Sequence, residues 1–247
     1  MTGQAALIGR TALVTGASRG IGRGIAVALA GAGAAVAVNY RSRADEAAAT
    51  VAEIERAGGT AVAVRADVVK RAEVEALTER VESALGPIDV LINNAGIATI
   101  RGLDDLTEDD FDATLATNLK SAFLCIQAVI AGMRRRGWGR IVNISSVAAR
   151  GAGGVGVHYN ASKAGLEGLT RGYAARLASE GITVNAVAPG LIDTEMAAPL
   201  KASGVADRLP VGRIGTPEEI GQAVLLVTGN AFLTGQTIAV NGGGSFL

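Results

Sequence analysis

Seven short β-branched runs, at 11–15, 34–39, 61–65, 90–92, 140–144, 183–188 and 237–240, alternate with stretches of helical composition at 21–32, 43–57, 71–84, 107–117, 119–136, 160–179 and 217–228. This alternation constrains the fold more than any other feature. A strand followed by a helix, repeated, makes a parallel sheet, because each connection must cross back over a face of the sheet before the next strand can begin. The runs Ala12-Leu13-Val14-Thr15 and Ile141-Val142-Asn143-Ile144 are apolar on both faces, as strands covered by helices on two sides must be. The expectation is an α/β chain with a doubly wound parallel sheet of about seven strands and helices on both faces. It is read as one domain over 1–247, with an irregular insertion near 190–212 covering a site.

Helix starts are marked locally. Thr216-Pro217-Glu218-Glu219 combines an N-cap threonine, a proline at the first helical position and a glutamate three residues on, and Thr107-Glu108-Asp109-Asp110 opens another helix with acids. With four Phe, three Tyr and one Trp, the core must be built from Ala, Val, Ile and Leu. Twenty-three basic and 23 acidic side chains cancel, so no global field draws in nucleic acid or an anionic membrane. One Cys and one His exclude an internal disulfide and argue against a Cys/His metal site. The longest run without a polar side chain, 24–38, has 15 residues and is too short to span a bilayer. No basic, apolar leader opens the chain. A soluble, cytoplasmic protein without a metal is expected.

Thr15-Gly16-Ala17-Ser18-Arg19-Gly20-Ile21-Gly22 joins the first strand to the first helix. Glycines there permit a tight turn and close approach of a pyrophosphate, and the free N–H groups of the helix start favour an anion. At the end of the second strand an NAD site carries an acid for the ribose 2′-hydroxyl, whereas an NADP site needs positive charge for the 2′-phosphate. Here Asn39-Tyr40-Arg41-Ser42-Arg43 has no acid, and Arg19 adds a cation within the turn. Gly16, Ser18, Arg19, Gly20, Ile21, Gly22, Asn39, Arg41 and Ser42 are therefore candidate cofactor contacts, and NADP is the expected cofactor.

Tyr159 and Lys163 lie four residues apart and share one helix face. A free phenol titrates near pH ~10, too high for efficient proton exchange at neutral pH. A neighbouring ammonium should favour the phenolate and lower that value. Tyr159 could then protonate a carbonyl oxygen as hydride arrives. Ser146, at a strand end, could donate a hydrogen bond to the same oxygen.

Residues 15–22, Asn93-Asn94-Ala95-Gly96, Asn118, Ser146, Tyr159 with Lys163, and Pro189-Gly190 together resemble the short-chain dehydrogenase/reductase family over nearly the whole chain. The resemblance implies a Rossmann-type fold and the catalytic set Asn118, Ser146, Tyr159 and Lys163, with Asn118 and Lys163 supporting a proton relay through water. It also implies that Asn93 steadies the central sheet and that Asp67 and Val68 contact the adenine end. Asn94, Ala95, Gly96, Pro189, Gly190, Ile192 and Thr194 would line the cofactor with Tyr159 and Lys163, and the family spacing prefers Ser146 to Ser145. Residues 184–190 and the ending Thr234-Gly235-Gln236 with Asn241-Gly242-Gly243 look like those of 3-oxoacyl-[acyl-carrier-protein] reductases. That branch reduces 3-oxoacyl thioesters with NADPH and is usually tetrameric. Gly165, Gly168 and Gly172, on the helix after Tyr159, would permit close helix approach in such a homotetramer.

One departure is Glu180, where members that dock acyl carrier protein carry a basic residue. An acid there repels an acidic carrier, although Arg134-Arg135-Arg136 could compensate. The departure keeps open an NADP-linked secondary alcohol or sugar-alcohol dehydrogenase. A non-catalytic NADP-binding regulator is disfavoured because Ser146, Tyr159 and Lys163 are all present. His158 is expected to point away from substrate, Cys125 to be buried packing, and Trp138 to pack in a loop or subunit contact. Val147, Val155, Leu191, Met196 and Leu200 are candidates for the substrate wall.

Overall fold

The computed structural model describes residues 7–198 and 209–246. Its strands are β1 Thr11–Val14, β2 Ala35–Tyr40, β3 Thr60–Arg65, β4 Ile88–Asn93, β5 Gly139–Ile144, β6 Ile182–Pro189 and β7 Thr237–Val240. They form one sheet in the order β3-β2-β1-β4-β5-β6-β7, with every neighbouring pair parallel. The chain winds outward from β1 to β3, then crosses back to β4 on the other side of β1. That reversal opens a crevice at the carboxyl ends of the central strands.

Among the described residues seven α-helices cover the sheet: α1 Gly20–Gly31, α2 Ala44–Arg56, α3 Arg71–Leu85, α4 Glu108–Leu115, α5 Ser121–Arg136, α6 Val157–Leu177 and α7 Pro217–Gly229. Successive strand residues point to opposite faces, so the sheet feeds two cores. Ala12, Val14, Val90 and Ile92 pack with Ile25 and Leu29 of α1, Ile54 of α2, and Ile220 and Val224 of α7. Leu13, Leu91, Ile141 and Val184 pack with Leu77 of α3 and Ile126, Val129 and Met133 of α5. Each fully buried Leu or Ile contributes roughly 1.5–3 kcal/mol by leaving water. That is how a chain poor in aromatics is stabilised.

The expected N-cap at Thr216 forms, its hydroxyl accepting from Glu219 N–H at 3.4 Å, and the acid-opened helix is capped as well, by the Thr107 hydroxyl accepting from Asp110 N–H at 3.1 Å. Two differences from the expected boundaries bear on the site. A π-turn, Ala116–Lys120, joins α4 to α5, so Asn118 lies inside a continuous helical run rather than in a break. Single π-turns concentrate at functional sites because they offset the ladder and redirect a side chain. By length and hydropathy the run Glu108–Arg136 could cross a membrane, but Leu124, Ile126, Val129 and Met133 lie in the core beneath the sheet. In addition, α6 starts at Val157, three residues earlier than expected, which sets Tyr159 in its first turn. Of the expected insertion near 190–212, residues 199–208 lie outside the described ones. The rest carries a short 3₁₀ turn, Glu195–Ala197, and a bridge between Ile192 and Gly215.

Candidate active site

A cavity of about 1360 Å³ follows the crevice from the β1–α1 turn to the start of α6. At its first end, Gly16 adopts φ +61°, and a Cβ there would stand 3.0 Å from Ala95 Cα. A Cβ on Gly22 would stand 2.5 Å from Asn94 Nδ2 and closer still to the Gly16 carbonyl. Gly22 thus keeps α1 tight against its own turn and Asn94. Asn94 Nδ2 donates to the carbonyls of Thr15 and Gly16 at 2.9 and 3.0 Å, locking that turn to the end of β4. The N-cap residue of α1, Arg19, makes no side-chain capping bond, and the first turn holds no acid. The opening N–H groups therefore face the cavity with the helix's positive end.

Ser18, Arg19, Gly20 and Ile21 line this end with Gly16 and Gly22, and Arg41, Ser42, Asp67 and Val68 line the rim beyond β2 and β3. Arg43, which is not among the residues expected at the cofactor, lines it too; its place in the Arg41-Ser42-Arg43 run is the sequence signal for it. Glu195 reaches across from beyond β6 to pair with Arg19, and lies 3.8 Å from Arg43. Arg41 is exposed and has no carboxylate partner among the described residues.

Two predicted site residues do not line the cavity. Asn39 is buried, with Nδ2 donating to the carbonyls of Val64 and Ala66 and Oδ1 accepting from Gly16 N–H at 3.2 Å, so it shapes the turn from behind. Asn118 is equally buried. Its Oδ1 accepts from Ile97 N–H at 2.8 Å, and Nδ2 donates to the Ile97 carbonyl and to Ser162 Oγ at 3.0 and 3.1 Å. It pins the loop after β4 to α6.

At the other end, Ser146, Tyr159 and Lys163 meet beside Asn94, Ala95, Gly96, Pro189, Gly190, Ile192 and Thr194. Lys163 Nζ donates to the Ile144 carbonyl at 2.8 Å and lies 5.6 Å from the centre of the Tyr159 ring. Burial pushes the Lys163 ammonium down to about 8. Burial also raises the Tyr159 phenol, while its hydrogen bond with Ser146 works the other way. This corrects the sequence expectation of a lowered phenol: the ammonium turns to Ile144, and the dry pocket disfavours the phenolate. Tyr159 therefore stays protonated at neutral pH. Ser145 faces α6 instead, its Oγ within 3.3 Å of Glu167.

The side chains set aside in the sequence behave as expected. His158 is buried off the cavity, with Nε2 3.0 Å from the Thr99 carbonyl. Cys125 is buried, and its thiol is pushed up to about 12. Trp138 lies between the guanidinium groups of Arg10 and Arg140, at 3.9 and 4.4 Å. Val147, Val155, Leu191 and Met196 line the cavity, and Leu200 lies outside the described residues. Asn93 donates to Asn143, which donates to Thr170, each at 2.8 Å, a buried chain tying β4 and β5 to α6.

Comparison with known proteins decides the family: the model of the short chain dehydrogenases matches residues 10–204. This chain belongs to the short-chain dehydrogenase family. It is an oxidoreductase acting on CH–OH groups. It is 44% identical over 241 residues to a 3-oxoacyl-[acyl-carrier-protein] reductase of Synechocystis, covering 96% of this chain and 98% of that protein. Among solved short-chain dehydrogenase structures it is 37% identical to a gluconate 5-dehydrogenase from Burkholderia cenocepacia in complex with NADP and tartrate, with a TM-score of 0.89 over 96% of this chain and 95% of that one. It is 41% identical to a blue fluorescent protein from a metagenomic library in complex with NADPH, with a TM-score of 0.89 over 96% and 98% of the two chains.

Proposed function

We propose that this short-chain dehydrogenase reduces the keto group of a 3-oxoacyl thioester. The cofactor is NADP(H). The residues present fit it: the glycine cradle would be filled by any Cβ, the N-cap residue of α1 makes no side-chain capping bond, and Arg19, Arg41 and Arg43 offer charge for phosphate. Gly16 to Gly22 would hold the pyrophosphate, Asp67 and Val68 the adenine end, and Ile192 and Thr194 the nicotinamide end. When bound, it supplies the hydride.

The chain's own residues do the rest. Ser146 Oγ donates a hydrogen bond to the substrate oxygen and fixes the carbonyl. Tyr159 Oη gives its proton to the oxygen as charge develops there. Lys163, largely charged at neutral pH, stabilises the phenolate left behind. Both amide protons of Asn118 are spent on the Ile97 carbonyl and Ser162, so its side chain anchors the loop after β4.

The observation that carries the substrate class is the wall around Ser146 and Tyr159. Ile97, Ala98 and Ile100 line it from one loop, Val147 and Val155 from another, and Leu191 and Met196 from a third. Such a wall suits an alkyl chain and offers little to a polyol. The likeness to a gluconate 5-dehydrogenase and the acid at Glu180 support a second reading, an NADP-linked alcohol or sugar-alcohol dehydrogenase. A homotetrameric, cytoplasmic enzyme of one domain with a covering segment near 190–212 completes the proposal. Turnover of acetoacetyl-CoA compared with a panel of simple ketones and keto-sugar acids tests it. Preference for the thioester supports the first reading, and preference for the keto-sugar acids the second.

A further inference from the structure

Glu167 is a carboxylate with 4% of its side chain exposed, four residues after Lys163 on α6. Its Oε2 pairs with Arg150 Nε at 2.9 Å, and its Oε1 accepts from Ser145 Oγ at 3.3 Å. Ser145 Oγ also reaches the Lys163 carbonyl at 3.4 Å. Ser145 and Arg150 bracket Ser146 and the 3₁₀ turn Val147–Ala149. Glu167 thus holds both ends of the segment that presents Ser146. Asn160, on the same helix, seconds it: Nδ2 donates to the carbonyls of Ala148 and Gly151 at 2.7 and 2.6 Å.

Burying a carboxylate is costly unless it is paired, and an apolar residue of similar size would serve packing as well or better. A charge held at this depth therefore serves geometry. Small errors in the placement of a reacting group cost large factors in rate. We propose that Glu167 is a positioning residue that, through Ser145 and Arg150, keeps Ser146 on the Tyr159 phenol. The proposal rests on the reading of Ser146 and Tyr159 as the pair that binds the substrate oxygen.

The test compares Glu167→Met in two backgrounds, wild type and Ser146→Ala, with two readouts. One is kcat for whichever carbonyl the wild type reduces, alongside the Kd for NADPH. The other is the Cζ NMR resonance of Tyr159, one of three tyrosines, assigned from its absence in Tyr159→Phe. Glu167→Met should lower kcat by about tenfold or more with the NADPH Kd unchanged, and should shift the Tyr159 resonance in the direction that Ser146→Ala shifts it. In the Ser146→Ala background it should add nothing to either. An equal loss in both backgrounds marks a merely structural role and overturns the proposal, as do an unchanged kcat and resonance. A wild type that reduces no carbonyl contradicts the proposed function, and the resonance then decides the positioning by itself. If Glu167→Met does not fold, Arg150→Met, at a partly exposed position, goes through the same comparison with the same expected outcomes.

Discussion

Lys163 donates its ammonium proton to the carbonyl of Ile144, the last residue of β5, across 2.8 Å. That bond fixes the lysine where the strand ends, one helical turn from Tyr159. With burial pushing Lys163 down to about 8, carbonyl reduction should fall as pH rises through that value. Stability moves the opposite way. The folded-state value lies below the unfolded one of 10.5, so the cost of burying the charge is full below about pH 8 and is relieved as pH rises toward 10.5. Between those limits the gain is on the order of 3 kcal/mol. Lys163→Met should abolish the rate limb and flatten this part of the stability curve. A pH–rate profile and pH-dependent urea unfolding of both proteins check the two halves.

The glycine turn makes a sharper steric claim. A methyl on Gly22 must displace both the Gly16 carbonyl and the Asn94 amide that donates to it, so the bond that locks the turn to the end of β4 is disturbed. Gly22→Ala should weaken NADPH binding by about tenfold or more, since the opening N–H groups of α1 would lose their aim. Fluorescence titration measures it, and an unchanged Kd would mean that the turn yields at no expense to binding.

Cofactor choice rests on the rim of β2. Arg41 is exposed and has no carboxylate partner among the described residues, whereas Arg19 and Arg43 share Glu195. Arg41→Ala should lower the kcat/KM preference for NADPH over NADH by about tenfold, the scale of one charged phosphate contact. An unchanged ratio would shift that role to the other two arginines.

The proposed 3-oxoacyl thioester substrate makes Glu180 the place to test docking of an acidic carrier protein. Arg134 pairs with it at 2.6 Å, and Arg136 pairs with Asp89 at 3.2 Å, so the basic run offers less free charge than its sequence suggests. Glu180→Lys should raise kcat/KM for a carrier-protein thioester several-fold at low salt and leave the CoA thioester unchanged. Equal effects on the two substrates would place docking elsewhere.

The parts of this account legible in the sequence are those written locally. The strand–turn–helix around Gly16 and the four-residue spacing of Tyr159 and Lys163 need only backbone periodicity, and both stand as read. What escaped depends on contacts between distant segments. The direction of the Tyr159 shift follows from burial that no single stretch encodes. The placement of Asn39 and Asn118 behind the cavity follows from backbone groups in β3 and after β4 that absorb their amides. The pairing of Arg19 with Glu195 joins residues 176 positions apart. Glu167 had a faint signal, the third member of a Tyr159–Lys163–Glu167 helical stripe, but its partners Ser145 and Arg150 lie on another segment.

The central claim is that Tyr159 delivers the proton. Tyr159→Phe keeps the ring and its packing and removes only the hydroxyl. NADPH oxidation in the presence of acetoacetyl-CoA, with NADPH affinity measured alongside, decides the matter. The account predicts a fall in kcat of at least about a hundredfold with NADPH binding retained. Undiminished turnover would contradict it.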